Sequence, residues 1–138
     1  GEGPEYSSIS KYISTHSLNN SFFILPFQSN PYPYYSRSDL FVLSSRWEGF
    51  GNVLVEALAC GVPCISTSCN GGPNHILKNG KLGILIKPND LFGLIDAIRS
   101  VIEKRISMPN VLLAQRYSSL YSVRSIARRY LKLAFCKK

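Results

Sequence analysis

Two glutamates, Glu48 and Glu56, have seven residues between them in the stretch RWEGFGNVLVEALACG. Glu48 precedes a Gly-Phe-Gly turn, and Glu56 lies in an apolar run that is typical of a helix. Carboxylates are rarely buried without a partner, and one that accepts hydrogen bonds from vicinal hydroxyls is a common way to hold a ribose. The alternative is that Glu56 faces solvent and that Glu48 is an ordinary loop carboxylate.

The turn between the two glutamates suits an anion. Gly49 and Gly51 allow backbone conformations that other residues avoid, and they let a ligand approach the main chain. The amides at the start of the following helix, which Asn52 is predicted to cap, lie at the positive end of the helix dipole. Two carboxylates on either side of such a diphosphate site favour a nucleotide-sugar as ligand.

Short apolar runs alternate with helical patterns along the chain. The pattern predicts four strands, at residues 22–27, 39–45, 63–68 and 82–87, and a short helix or turn at residues 32–38. It also predicts helices at residues 52–60, 71–79, 90–104, 109–118 and 122–135. Asp90 is the expected N-cap of the helix at 90–104. This order is typical of an α/β fold, a Rossmann-like three-layer parallel sheet with helices on both faces, in a single domain over 1–138. Ligands of such sheets bind beyond the carboxyl ends of the strands, here residues 44–52, 66–74 and 27–31.

Composition excludes several function classes. The 138 residues contain no apolar stretch that could cross a membrane and no metal-ligand spacing among the four cysteines, so neither a membrane span nor a bound metal is expected. Cys60 and Cys64 read as small core residues of a protein from a reducing cytoplasm. The net charge of +8 is concentrated from Arg99 onward. This basic tail is either a solvated helix face or a surface for anionic lipid, and no nucleic-acid motif accompanies it.

The motifs taken in order resemble a known family. SDLFVLSSRWEGFGNVLVEALACGVPCISTSCNGGPNHIL, with its Glu-x7-Glu pattern, resembles the donor-binding domain of retaining glycosyltransferases of family 4, which have the GT-B fold. GEGPE at the start is similar to that family's Gly-x-Gly-Pro turn, and NGKLGILIKPND also fits. The resemblance implies transfer of a sugar from a nucleotide-sugar, with a lean toward UDP-linked donors, to a glycan or lipid-linked acceptor in cell-surface polysaccharide or glycolipid synthesis. It implies no cofactor and no obligatory metal.

The resemblance also implies roles for single residues. Glu48 would contact the donor sugar as the catalytic residue, and Glu56 would bind the ribose hydroxyls. Pro26 and Phe27, at the end of their predicted strand, would lie beside the nucleobase. Gly71 and Gly72 would lie in a loop near the donor pocket. Backbone groups would hold the sugar and diphosphate along Gly49, Phe50, Gly51, Asn52, Val53 and Leu54.

Several features depart from the family pattern. His75 stands where many members have a glutamate and is a candidate donor contact, although a surface role is the alternative. Arg46 is a candidate phosphate ligand, or it packs over Trp47. The family's Arg and Lys that grip the diphosphate would precede this chain, as would the acceptor-binding N-terminal domain. Residues 1–138 are therefore expected to be part of a C-terminal GT-B domain, inactive alone, with 109–138 packing toward the N-terminal domain.

Two other functions are compatible with this fold and these motifs. A nucleotide-sugar epimerase has a similar architecture, and a non-catalytic nucleotide-binding remnant would keep the same motifs. The expected location is cytoplasmic, with peripheral contact to the inner face of the cytoplasmic membrane through the basic tail.

Overall fold

Residues 1–104 and 111–135 are described by a computed structural model. They fall into two units, Gly1–Pro31 and Tyr32–Lys138, and each is described by itself. The interpretation of residues 1–138 as one partial domain stays a prediction.

The first unit contains one helix, α1, Tyr6–Thr15, which the sequence analysis did not predict. The prediction of a buried strand at residues 22–27 is wrong. This run has no strand conformation, and Phe23 and Phe27 are 75% and 81% exposed. A strand needs a neighbouring strand to take its backbone hydrogen bonds, and the three-stranded sheet of the described residues does not include this run. An apolar run alone does not supply that neighbour.

The second unit alternates helices and strands in the predicted order. In chain order they are α2 Tyr32–Tyr35, β1 Phe41–Leu43, α3 Asn52–Ala59, β2 Cys64–Thr67, α4 Gly72–Ile76, β3 Ile84–Ile86, α5 Leu91–Ile102, α6 Val111–Ser118, a 3-10 turn Ser119–Tyr121, and α7 Val123–Phe135. The predicted helices and the last three predicted strands are confirmed within the described residues. The predicted start of α6 at residues 109–110 lies outside them.

The three strands form a parallel sheet in the order β1-β2-β3. Phe41 pairs with Cys64 and Ile65 with Ile84, so the carboxyl ends of the strands meet at one edge. All four residues of β2 are buried although their side chains alternate between the two faces. Both faces of the central strand are therefore covered, which confirms the α/β architecture and explains why its sequence is not alternating.

The core lies where α3 packs against the sheet. Its largest fully buried side chains include Leu54 and Leu58 of α3, together with Ile65, Ile76 and Leu77. Cys64 is also fully buried, as predicted, whereas Cys60 is only half-buried. Burial raises the pKa of the Cys64 thiol to about 12, so it behaves as a small apolar residue.

The C-terminal end of α3 and the N-terminal end of α5 each have a standard capping arrangement. At the end of α3, Gly61 has φ +75°, and the amides of Gly61 and Val62 donate to Leu58 O and Ala57 O at 3.0 Å each. These are the two bonds of a Schellman motif. Asp90 is the N-cap of α5 as predicted, since its carboxylate accepts from the Gly93 amide at 2.8 Å. Across residues 1–104 and 111–135, no helix combines the length and apolarity needed to cross a membrane.

Candidate functional site

The segment between β1 and α3 forms the first wall of the candidate site. Gly51 is the N-cap of α3 with φ +87°, a left-handed conformation that favours glycine. The prediction that Asn52 caps the helix is wrong, because Asn52 is its first residue and is exposed. Gly51 has no side chain to bond the first amides, and this cap has no side-chain hydrogen bond. The positive end of α3 is therefore not neutralised by its own cap.

Gly71 and Gly72, at the start of α4, pack against the backbone of the loop between β1 and α3. The Gly72 amide donates to Gly49 O at 3.2 Å. A Cβ on Gly72 would overlap Phe50 O and lie 2.7 Å from Phe50 Cα, and a Cβ on Gly71 would lie 2.7 Å from Gly49 O. Only glycine therefore permits this approach of the two loops. The structure thus brings the predicted site residues 49–50 and 71–72 into direct backbone contact.

Glu48 is positioned by hydroxyl residues at the carboxyl ends of β1 and β2. Its Oε1 accepts from Ser45 Oγ at 2.7 Å, and the side chain is half-buried. Thr67, the last residue of β2, donates its hydroxyl to Ser45 O. Ser45 and Thr67 were not identified from the sequence. The available signal was the placement of hydroxyl residues at the carboxyl ends of two adjacent strands.

Glu56 lies one turn into α3 and is half-buried. Its Oε2 accepts from the Tyr35 hydroxyl at 3.2 Å. Burial, and then the negative charge of Glu56 and this hydrogen bond, raise the pKa of Tyr35 to about 12. Tyr35 therefore remains a donor toward the carboxylate above pH 10, where an ordinary tyrosine would lose its proton. Sequence reasoning missed this residue, and the aromatic-rich YPYY segment ahead of β1 was the only signal for it.

A cleft of about 600 Å³ opens beside α3 within the second unit. Phe50, Asn52 and Glu56 line it, so the structure brings these three predicted residues together. Tyr32, Gln115, Tyr121 and the hydroxyl residues Ser118, Ser119 and Ser122 form its other sides. With one carboxylate, several hydroxyls and three aromatic residues, the lining suits a polyhydroxylated ligand with a planar or ring face.

The aromatic side of the cleft is a connected cluster. The ring centroids of Phe50 and Tyr121 are 5.4 Å apart at 62°, and Tyr121 donates its hydroxyl to Tyr117 at 3.1 Å. Burial, followed by this bond to Tyr117, raises the pKa of Tyr121. His75 is exposed, and its ring centroid lies 6.3 Å from that of Tyr121 in an edge-to-face arrangement. It therefore contacts the aromatic cluster and not the loop between β1 and α3. Lys78 Nζ lies 4.0 Å from the Tyr117 ring centroid.

The remaining predicted residues lie elsewhere. Arg46 lines a separate cavity of about 180 Å³ at the strand ends, with Ser44, Thr67 and Lys87. Leu54 is fully buried in the core, so it can serve a ligand only through its backbone, and Val53 is half-buried. Pro26 and Phe27 belong to the first unit, on its exposed extended run. In the part of the chain that is described, no three His, Cys, Asp or Glu side chains are grouped as a metal site.

The chain is similar to proteins of one family over most of its length. The family model described as "Glycosyl transferases group 1" matches residues 1–117. The 2-deoxystreptamine N-acetyl-D-glucosaminyltransferase of Niallia circulans is 40% identical over 98 residues, which cover 70% of this chain and 25% of that protein. The N-acetyl-alpha-D-glucosaminyl L-malate synthase of Bacillus anthracis is 38% identical over 96 residues, again 70% of this chain and 25% of that protein.

Solved structures agree with the sequence relatives. The Anabaena protein HepE in complex with UDP-glucose superposes with a TM-score of 0.83 at 26% identity, over 99% of this chain and 38% of that one. The chain spans about a quarter of the length of the curated relatives above. The strand order, the backbone contact between the two glycine-bearing loops and these matches lead to one assignment: the chain belongs to the group 1 glycosyltransferases, with the Rossmann-like architecture of a GT-B C-terminal domain.

Proposed function

We propose that this chain is the donor-binding part of a retaining glycosyltransferase of family 4. It binds a nucleotide-sugar, UDP-linked, whose sugar passes to a glycan or lipid-linked acceptor in cell-surface polysaccharide or glycolipid synthesis. The observation that carries the proposal is the cleft in which Phe50, Asn52 and Glu56 meet beside the uncapped start of α3. The solved relative with UDP-glucose bound supports the choice of nucleotide.

The geometry around the start of α3 supports a role for each residue in this proposal. The amides that begin the helix attract the diphosphate, and Glu56, one turn on, accepts hydrogen bonds from the ribose hydroxyls. Glu48, whose Oε1 accepts from Ser45 Oγ, is the residue that contacts the donor sugar in this proposal. Charge that develops on the leaving diphosphate is stabilised by helix-terminus amides, without a bound metal or another cofactor.

The flanking residues have weaker parts in the same proposal. His75, beside Tyr121 at the side of the cleft, contacts the donor, and Arg46, which lines the cavity at the strand ends, is the candidate ligand for a phosphate. The basic and apolar sides of α7 face, respectively, an anionic membrane surface and an N-terminal acceptor domain. Exposed apolar side chains on one side of that helix, among them Tyr130 and Leu131, support this assignment.

Calorimetric titration with UDP tests the ribose role of Glu56. Glu56→Gln removes the charge and leaves the shape, and we expect UDP affinity to fall about tenfold because a charge-assisted hydrogen bond to the ribose is lost. The matched control is Glu2→Gln, a change of the same type at an exposed position. UDP binding that is as tight in Glu56→Gln as in the unmodified chain would contradict the ribose role.

A further inference from the structure

Tyr35 is the side chain that meets the Glu56 carboxylate from outside α3. We propose that it is a positioning residue for nucleotide binding, whose hydroxyl sets the Glu56 carboxylate for the ribose of a nucleoside diphosphate. The inference rests on the proposed function of Glu56, and it adds a residue that acts through Glu56 without touching the ligand.

Packing fixes the Tyr35 ring before any ligand arrives. Its centroid is 5.5 Å from that of Phe41 at 85° and 6.2 Å from that of Tyr32 at 79°, both edge-to-face. Phe41 is the first residue of β1, so the ring is attached to the sheet that carries the site. Such aromatic pairs prefer this geometry and resist rotation, which gives the hydroxyl a defined direction.

The hydroxyl then restricts a flexible side chain. A free glutamate has many rotamers, and ordering it on binding costs free energy. Because Tyr35 donates to Oε2 at 3.2 Å, the carboxylate is already ordered, and Oε1 and the remaining lone pairs can accept from a diol. A tyrosine hydroxyl is protonated at physiological pH, so Tyr35 is a donor there; burial, and then Glu56, raise its pKa further, to about 12.

Calorimetry with two probes distinguishes this role from simple packing. Tyr35→Phe removes the hydroxyl and keeps the ring, and the matched control is Tyr34→Phe, an exposed tyrosine of the same helix. With UDP we expect Tyr35→Phe to bind about fivefold more weakly and Tyr34→Phe to match the unmodified chain. With 2′,3′-dideoxy-UDP, which has no ribose diol, we expect Tyr35→Phe to bind like the unmodified chain.

A double variant closes the argument. If Tyr35 acts through Glu56, adding Tyr35→Phe to Glu56→Gln leaves UDP affinity unchanged relative to Glu56→Gln alone, so the two effects are not additive. The dideoxy probe also checks folding: poor folding of Tyr35→Phe would weaken the binding of both probes equally, whereas loss of the positioning contact weakens only UDP binding.

The outcomes separate the two proposals. Equal losses of Tyr35→Phe for UDP and for dideoxy-UDP would show a structural effect and overturn the positioning role. Unchanged UDP binding in Tyr35→Phe, with Glu56→Gln weakened, would overturn the positioning role and leave the ribose role standing. Unchanged UDP binding in Glu56→Gln, or no UDP binding by the full chain, would overturn both.

Discussion

Helices α3 and α7 have similar sequence patterns and opposite environments. Both carry apolar residues at helical spacing. Helix α3 has eight residues and buries Leu54, Ala57 and Leu58, whereas α7 has thirteen residues and buries none. The spacing of apolar residues predicts that a helix forms and which side is apolar. It does not predict whether anything covers that side.

The surroundings of the two helices account for the contrast. Helix α3 packs on β1, β2, α4 and α6, begins at a left-handed Gly51 and ends at a Schellman motif. Helix α7 meets chiefly the 3-10 turn before it, and its apolar side chains Tyr130, Leu131, Leu133 and Phe135 are exposed. The candidate site therefore lies on the better-fixed of the two helices, as precise ligand placement requires.

The largest expected effect would break the support of α3 itself. Gly72→Ala places a methyl group on Phe50 O, which is backbone and cannot rotate away. Either α4 or the loop before α3 must shift, and we expect the free energy of unfolding to fall by about 4 kcal/mol or more. Urea denaturation followed by circular dichroism measures this loss.

Gly49→Ala is the control for this change, since nothing lies within 4 Å of a Cβ at that position. It belongs to the same loop and should change the free energy of unfolding by less than about 1 kcal/mol. A loss in Gly72→Ala no larger than in Gly49→Ala would show that the two loops do not pack as described.

A matched pair of leucines measures the contrast between the helices directly. Leu58 of α3 is 1% exposed and Leu133 of α7 is 79% exposed. Leu58→Ala leaves a cavity and should lower the free energy of unfolding by about 3 kcal/mol. Leu133→Ala should change it by less than about 0.5 kcal/mol. Comparable losses in the two variants, by urea denaturation, would mean that α7 is covered in solution.

The same contrast shows which parts of the fold could be predicted from the sequence. The three strands of the sheet and the helices of the second unit follow from apolar spacing and from local signals such as the N-cap Asp90. The run at residues 22–27 misled because its apolar character says nothing about a pairing partner. Helix α1 was missed although Tyr6, Ile9 and Ile13 have helical spacing, because the polar residues between them dominate the segment.

The candidate site was predictable only where its chemistry is local. Glu48 and Glu56 stand out because carboxylates in such a context are unusual, whereas Gly71 and Gly72 were predicted only through the family resemblance. Ser45, Thr67 and Tyr35 depend on contacts between segments that are distant along the chain. Tyr35 reaches Glu56 across 21 positions, a contact that only the folded arrangement of α2 beside α3 creates.

The smallest expected effect is a change in the free energy of unfolding with pH, through the titration of Tyr35. The folded-state pKa of Tyr35 is about 12, above its ordinary value of 10.0. Below pH 10 both states keep the proton, so the Tyr35–Glu56 contact stabilises the fold in full. From pH 10 to 12 only the unfolded state releases the proton, and the contribution is lost. After discounting for solvent screening of this half-buried group, we expect a change of about 0.5 kcal/mol.

Urea denaturation from pH 8 to 12 tests this dependence in matched variants. The stability difference between the unmodified chain and Tyr35→Phe, on α2 against α3, should be constant to pH 10 and then shrink. Tyr130→Phe, on the uncovered face of α7, makes the same chemical change where the ring is 71% exposed. Its difference from the unmodified chain should stay flat. If the stability difference for Tyr35→Phe is also independent of pH, Glu56 and Tyr35 are not in contact in solution. Tyrosines beside α3 and on α7 would then titrate alike.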